Sequence, residues 1–178
     1  MNQSGKVAFG GIVSAVCIVC MFLTGFFPFA TLALPAIAGV LLIAIVIELG
    51  LRWAWLVYAA VSLLSFFLAP DAEAKLLFIL FFGYYPIIKA YLERMSSRVF
   101  CWILKFLIFN AAVVAAYFIA LFFFQLPSDI FIIFNINLPF VFLLLGNVVF
   151  FIYDYAVTCL ISTYVRKLHP ILQKRFHF

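Results

Sequence analysis

The sequence predicts an all-α integral membrane protein that crosses the bilayer six times as a helix bundle. The chain is 70% hydrophobic and only 10% charged, far from the balance of a soluble domain. Apolar runs recur along its whole length, and most reach the roughly 20 residues that a helix needs to cross a hydrocarbon core of about 30 Å. We therefore expect one integral membrane domain over residues 1–178.

Proline, glycine and charged residues separate the apolar runs and set the expected span limits. The spans are predicted at residues 7–28, 30–49, 53–68, 76–92, 100–124 and 138–164, with a basic tail at residues 165–178. The fourth span is interrupted near its middle by Gly83 to Pro86, where the proline bends the helix. The connection at residues 125–137 is long and apolar, which favours either a binding lid or an interfacial segment without a ligand.

The distribution of lysine and arginine predicts that both termini face the cytoplasm. With this orientation, the inner side of the six-span arrangement receives all of the 11 basic residues except Lys75. The inner residues are Lys6, Arg52, Lys89, Arg94, Arg98, Lys105, Arg166, Lys167, Lys174 and Arg175. Retention of positive charge on the cytoplasmic side explains this bias. It also explains the net charge of +5, so no nucleic-acid partner is expected.

The first span carries small residues at helical spacing. Gly10 and Ser14 lie four positions apart, as do Gly11 and Ala15. In lipid, such faces let two helix backbones approach closely. We interpret them as a helix-docking seam, used either within the bundle or against another protein.

Asp154 is the strongest candidate for a functional polar residue inside the membrane. It lies about 13 Å from the predicted inner end of the sixth span, measured at helical rise, where a carboxylate is costly without a partner. Thr158 shares its helix face, and Lys105 and Lys89 are the candidate partners on neighbouring spans. The group is either an ion pair that fixes helix register or a direct participant in gating or coupling.

The remaining polar residues give no catalytic or metal-binding pattern. Cys17 and Cys20 have C-x-x-C spacing without a second pair, so no metal and no cofactor is expected. The two histidines lie in the tail without a nucleophile beside them, and we expect no enzymatic activity. Glu48 and Arg52 stand four apart and are interpreted as an interfacial ion pair.

The layout resembles the substrate-binding S components of energy-coupling factor (ECF) transporters. The resemblance is carried by the six spans with both ends inside, by the small-residue seam where that family has an Ala-x-x-x-Ala-type face, and by the outer loop Phe27 to Thr31. It implies a multi-pass protein of the bacterial cytoplasmic membrane that captures a vitamin-like micronutrient. Its partners would be a transmembrane coupling subunit and separate cytoplasmic ATPases.

By position, the resemblance places the ligand site among the outer loops and the outer halves of the later spans. The residues it points to are Thr31, Asp71, Asn135, Asn137 and Asn147. A second class fits the same layout: a non-transporting scaffold similar to the D-type membrane protein of the rod-shape machinery, or an accessory subunit of another membrane complex. An enclosed cavity on the outer side would favour transport over scaffolding.

Overall fold

The computed structural model describes residues 3–124, 132–133 and 136–170, and this part of the chain is almost entirely helical. Its helices are α1 (Gln3–Leu23), α2 (Ala33–Glu48), α3 (Leu51–Leu68), α4 (Ala72–Leu77), α5 (Tyr85–Leu92), α6 (Arg98–Phe124) and α7 (Leu138–Thr163). Shorter elements are a 3₁₀ turn (Pro28–Ala30) and two π-helical turns (Phe78–Phe82 and Tyr164–Leu168). Two short strands, β1 (Ile132–Ile133) and β2 (Ile136–Asn137), pair in antiparallel fashion before α7.

Five helical segments in the described chain are long and apolar enough to cross a bilayer. They lie at Gln3–Leu23, Leu51–Leu68, Ala72–Leu92, Arg98–Ile119 and Leu143–Leu168, and we call Ala72–Leu92 span four. The remaining apolar helix, α2, has only 16 residues. Large apolar side chains such as Leu107 and Phe118 are about 60% exposed on the surface of the bundle, as expected of helices that contact lipid. The all-α class is confirmed for the described residues, and the long apolar helices are compatible with a membrane-embedded protein.

Two helix limits differ from the expected ones for local reasons. The first helix ends at Leu23, and the hydroxyl of Thr24 donates to the Met21 carbonyl at 2.7 Å as the chain turns. Span four begins earlier than expected because the carboxylate of Asp71 accepts the backbone N–H groups of Glu73 and Ala74. This is an N-cap, and it places residues expected to form a polar loop inside the helix.

Helix α2 occupies the middle of the N-terminal half of the bundle. It contacts α1, α3, α5 and the π turn of span four. A Cβ atom at Gly39 would lie only 2.2 Å from the backbone oxygen of Phe82, so the two backbones are in direct contact there. Because other helices surround α2, its length does not have to match the bilayer thickness as closely as that of a lipid-facing helix.

The small-residue seam of α1 divides between two environments. Gly10 is buried, and a Cβ atom there would meet the Val57 side chain of α3 at 3.5 Å. Gly11 and Ala15 are exposed, with nothing within 4 Å of a Cβ placed at Gly11. One edge of the seam therefore packs inside the bundle, whereas the other faces outward.

The turn between α2 and α3 changes the expected partner of Glu48. Gly50 has a φ of +88°, a conformation that glycine adopts without strain, and it separates Glu48 and Arg52 into different helices. The Glu48 carboxylate instead binds the tail: Tyr164 donates to it at 3.2 Å, and His169 Nδ1 lies 2.9 Å away. The expected Glu48–Arg52 ion pair is replaced by contacts between α2 and the end of the last span.

Candidate functional site: a charged cluster beside an apolar cavity

The interruption of span four determines which side chains reach the centre of the bundle. The backbone N–H of Gly83 bonds to the Phe78 carbonyl at 2.8 Å, which closes the π-helical turn. A regular helix then restarts at Tyr85 with a proline in its first turn, where the missing N–H costs nothing. From Tyr85, steps of four residues lead to Lys89 and Glu93, so the three side chains share one face.

Asp154 of α7 is the centre of a charged cluster that also contains Lys89, Lys105 and Glu93. Asp154, Lys89 and Lys105 are buried, whereas the Glu93 side chain is 39% exposed. Lys105 Nζ of α6 lies 3.0 Å from each Asp154 carboxylate oxygen. Lys89 Nζ contacts the same carboxylate and lies 3.2 Å from the Asp154 backbone oxygen. The hydroxyl of Tyr85 donates to Asp154 Oδ1 at 2.5 Å.

Glu93 completes the cluster from the end of α5. Its Oε1 lies 3.0 Å from Lys89 Nζ and 3.2 Å from Lys105 Nζ. Two ammonium groups therefore face two carboxylates, and the formal charge of the cluster is zero. Lys89 is 0% exposed, Asp154 2% and Lys105 4%, so neutrality is essential in this environment.

The cluster joins three spans and borders a mixed cavity. Lys105 Nζ also lies 5.0 Å from the ring centroid of Trp102, a cation–π distance. Thr158 donates to the Asp154 backbone carbonyl at 2.9 Å rather than to its carboxylate. A cavity of about 470 Å³ beside these groups is lined by residues from α5, the following loop, α6 and α7, including Glu93, Arg98, Lys105, Asp154 and Thr158.

A second cavity, of about 310 Å³, is apolar, and it is partly open to the surface of the bundle, where its lining residues Leu32, Leu145 and Val149 are exposed. It lies between the start of α2, the first half of span four, α6 and α7. The lining residues are Leu32, Leu77, Leu80, Phe81, Phe82, Phe109, Ala112, Val113, Ala116, Leu145, Gly146, Val149, Phe150 and Tyr153. In the described chain, Tyr153 is the one lining residue with a polar side-chain atom, and we call this space the apolar cavity.

Tyr85 connects the apolar cavity with the charged cluster. Its ring centroid lies 4.9 Å from that of Phe81 and 5.4 Å from that of Phe150, both of which line the cavity. Its hydroxyl lies in the charged cluster on the opposite side. One fully buried side chain therefore bonds to the charged cluster and packs against two residues of the cavity wall.

The candidate ligand residues that the structure describes do not all gather at one site. Thr31 and Asp71 line an open depression of about 300 Å³ together with Thr24, Gly25 and Pro70, and the Asp71 carboxylate is occupied as a helix cap. Asn135 and the side chain of Asn137 lie outside the described residues. Among the described residues, none of these five candidates lines the apolar cavity.

Asn147 pairs with a residue that the sequence reasoning missed. Its side-chain amide and that of Asn110 exchange hydrogen bonds of 2.9 and 3.0 Å between α7 and α6. Each amide also donates to a carbonyl one turn earlier on its own helix, at 2.8 Å from Asn110 and 2.7 Å from Asn147. The pair fastens the two helices together and leaves little hydrogen-bonding capacity for a ligand.

Glu93 was missed as well, and the break at Gly83 to Pro86 pointed to the Tyr85 hydroxyl only as one that could line a cavity, not as a partner of Asp154. The spacing of both residues contained a signal. Both stand four residues from Lys89, so a face that carries Lys89 inward must carry them too.

No protein-family model matches the chain, and no curated protein or solved structure is significantly similar to it. Fold and site therefore define a class only: a helical, membrane-embedded protein with a neutral charged cluster and an adjacent apolar cavity. Any particular function has to be argued from this geometry.

Proposed function

We propose that this chain is a membrane subunit that captures a small molecule in its apolar cavity and delivers it to an energy-coupled uptake system, as an ECF-type S component does. The observation that carries the proposal is the partly open apolar cavity of about 310 Å³ between the start of α2, span four, α6 and α7, a volume at the lower end of the range for small-molecule sites. In the proposed orientation the cavity lies in the outer half, where capture from outside the cell requires it.

We further propose six spans with both termini inside, with α2 as the short central span. The inner side then receives all of the basic residues except Lys75, in accord with the positive-inside bias. A five-span arrangement in which α2 does not cross would put the two termini on opposite sides. Cysteine labelling at positions 6 and 167 distinguishes the six-span from the five-span arrangement. With six spans, both positions are equally protected from an impermeant reagent.

Coupling to an energy source requires separate subunits in this proposal. The sequence has no phosphate-binding glycine loop of the Walker type, so ATP hydrolysis falls to partner ATPases. The exposed edge of the α1 seam, Gly11 and Ala15, is the proposed contact with a transmembrane coupling subunit. Close approach of another helix to such a small-residue edge is the usual mode of association in lipid.

A membrane scaffold is the competing function. A scaffold would use the outward seam and the charged cluster for assembly, but it has no use for an internal cavity. Filling the cavity would leave scaffolding intact, whereas it would abolish capture.

Mass spectrometry of small molecules that co-purify with the protein tests the proposal. Ala112 lines the cavity and is 7% exposed, whereas the adjacent Ala111 is exposed on the outer face of α6. We expect a stoichiometric compound to co-purify with wild type and with Ala111→Phe, and to be lost from Ala112→Phe. If no compound depends on residue 112 in a folded protein, the capture function is refuted and the scaffold is favoured.

A further inference from the structure

We infer that Tyr58 of α3 is a positioning residue, whose hydroxyl holds span four in the register that brings Lys89 to Asp154. The charged cluster of the C-terminal helices then depends on a bond made by the N-terminal half of the bundle. This inference goes beyond the proposed function, because it holds for a capture subunit and for a scaffold alike.

The π-helical turn of span four takes the usual donor away from the Ile79 carbonyl. In a regular α-helix this carbonyl accepts the N–H of the residue four positions later, which is Gly83. Here the Gly83 N–H bonds to the Phe78 carbonyl instead, at 2.8 Å. The hydroxyl of Tyr58 replaces it and donates to the Ile79 carbonyl at 2.7 Å. Because a carbonyl without a donor is costly inside a membrane, the bond from α3 stabilises the turn.

The neighbouring helices fit closely around the irregular backbone. A Cβ atom at Gly83 would lie only 2.7 Å from the Tyr58 ring, so the ring packs directly on the chain at the break. The Phe82 carbonyl loses its helical donor as well, because Pro86 has no N–H, and Gly39 of α2 packs against it. Contacts from α2 and α3 therefore support the π-helical turn from outside span four.

The extra residue of the π-helical turn decides which side chain faces Asp154. Each residue of an α-helix turns the chain by about 100°. A return of span four to the regular register would therefore move every later side chain into the place of its successor. Ile88, which has no polar atom in its side chain, would take the place of Lys89. The Asp154 carboxylate would then lose one of its two lysine partners.

Tyr58→Phe tests the inference, because it removes the hydroxyl and keeps the ring. The register is read in nanodiscs from the labelling rate of an introduced cysteine with a water-soluble maleimide, and peptide mass spectrometry identifies the modified residue. Leu92 is 7% exposed and would move to the place of Glu93, whose side chain is 39% exposed. We expect Leu92→Cys to be labelled about fivefold to tenfold faster when Tyr58→Phe is also present, the equivalent of one lost hydrogen bond.

Two matched variants distinguish a turn of span four from a general loosening of the bundle. Ala54 is fully buried on α3, one helical turn before Tyr58, and the labelling of Ala54→Cys should not change with Tyr58→Phe. Tyr91 is an exposed residue of span four, and Tyr91→Phe removes its hydroxyl without touching the break. Tyr91→Phe should leave the labelling rate of Leu92→Cys unchanged.

A double-mutant cycle with Lys89→Met gives a second measurement. The bond of Tyr58 is made at Ile79, ten residues before Lys89 and thus about 15 Å away along a helix, and effects at this distance normally add. The double variant can take the regular register and regain the bond from Gly83 to Ile79. We therefore expect its SDS unfolding midpoint to fall by less than the sum of the two single variants.

Gly83→Ala keeps the Tyr58 hydroxyl but displaces its ring, and it should accelerate labelling of Leu92→Cys in the same way. It decides the question if Tyr58→Phe does not fold. An unchanged rate at position 92 in the folded variant would overturn the inference. Equal acceleration at Ala54→Cys or by Tyr91→Phe, or additive midpoints in the cycle, would also overturn it. These results do not depend on whether the apolar cavity binds a ligand, so the proposed function is tested separately.

Discussion

Replacing Asp154 with asparagine tests whether the charged cluster is held together by charge balance. In wild type, Lys105 Nζ lies 3.0 Å from each carboxylate oxygen of Asp154. Lys89 contacts the same carboxylate, and the hydroxyl of Tyr85 donates to it. The amide is nearly the same size, so packing is preserved. After the substitution Glu93 is the only carboxylate of the cluster, and it faces two buried lysines.

The expected cost follows from the burial of those lysines. Lys89 is 0% exposed and Lys105 is 4% exposed, so the surplus charge has little access to water, and that access is from Lys105 through the mixed cavity. Removing one partner of a buried ion pair typically costs about 3–5 kcal/mol. Because the asparagine oxygen still accepts one hydrogen bond, we expect a loss near the lower end, about 3 kcal/mol of unfolding free energy.

A reversible SDS titration in mixed micelles, followed by tryptophan fluorescence, measures this loss. A second substitution, Lys105→Met, removes the surplus charge, and the double variant Asp154→Asn/Lys105→Met should be more stable than additivity predicts by about 1–3 kcal/mol. Glu73→Gln is the control, an exposed carboxylate at the start of span four, and should change stability by less than about 0.5 kcal/mol. Additive effects in the double variant, or an Asp154→Asn protein as stable as the control, would refute the charge-balance argument.

Three further substitutions test the packing of the bundle in the same titration. Asn110→Leu should lower the unfolding free energy by about 1 kcal/mol because Asn147 loses its partner. Adding Asn147→Leu should restore part of that free energy, and a double variant without any restoration would argue against the pair. Gly39→Ala should cost about 2 kcal/mol, typical of overpacking, since its Cβ would lie 2.2 Å from the Phe82 oxygen; a wild-type midpoint would contradict that contact. Gly50→Ala should cost about 1–3 kcal/mol, because its φ of +88° with a ψ of 173° lies in a region that is essentially restricted to glycine; an unchanged midpoint would mean that the turn relaxes.

Local patterns in the sequence carried enough information for the membrane class and for part of the charged cluster. A carboxylate deep in an apolar helix must find a cation, and the structure brings Asp154 together with Lys105 and Lys89. The break at Gly83 to Pro86 was expected as well, since it follows from backbone chemistry at those residues alone. Such features need no knowledge of how the helices are arranged.

The Asn110–Asn147 pair and the apolar cavity could not be predicted in this way. The pair depends on the relative register of α6 and α7, which no pattern within either helix encodes. The cavity is lined by segments that are distant in sequence, and its phenylalanines resemble lipid-facing ones in composition. Phe109 is 9% exposed and Phe118 is 63% exposed, yet both lie in the same apolar helix. In lipid the inside and the outside of a bundle are both apolar, so hydrophobic periodicity does not separate them.

The position of Tyr85 limits how the apolar cavity can open. Span four, α6 and α7 form most of the cavity wall, and the same three segments supply every charge of the cluster. A movement that separates these helices to admit a ligand must either keep the bonds of Asp154 intact, with the cluster acting as a pivot, or expose two lysines and two carboxylates to water. The second route is expensive inside a membrane for Asp154 and the two lysines, which are buried, and less so for Glu93, which is already 39% exposed. The cluster therefore favours opening at the opposite end of the bundle, away from Asp154, with the Tyr85–Asp154 bond left in place behind the wall residues Phe81 and Phe150.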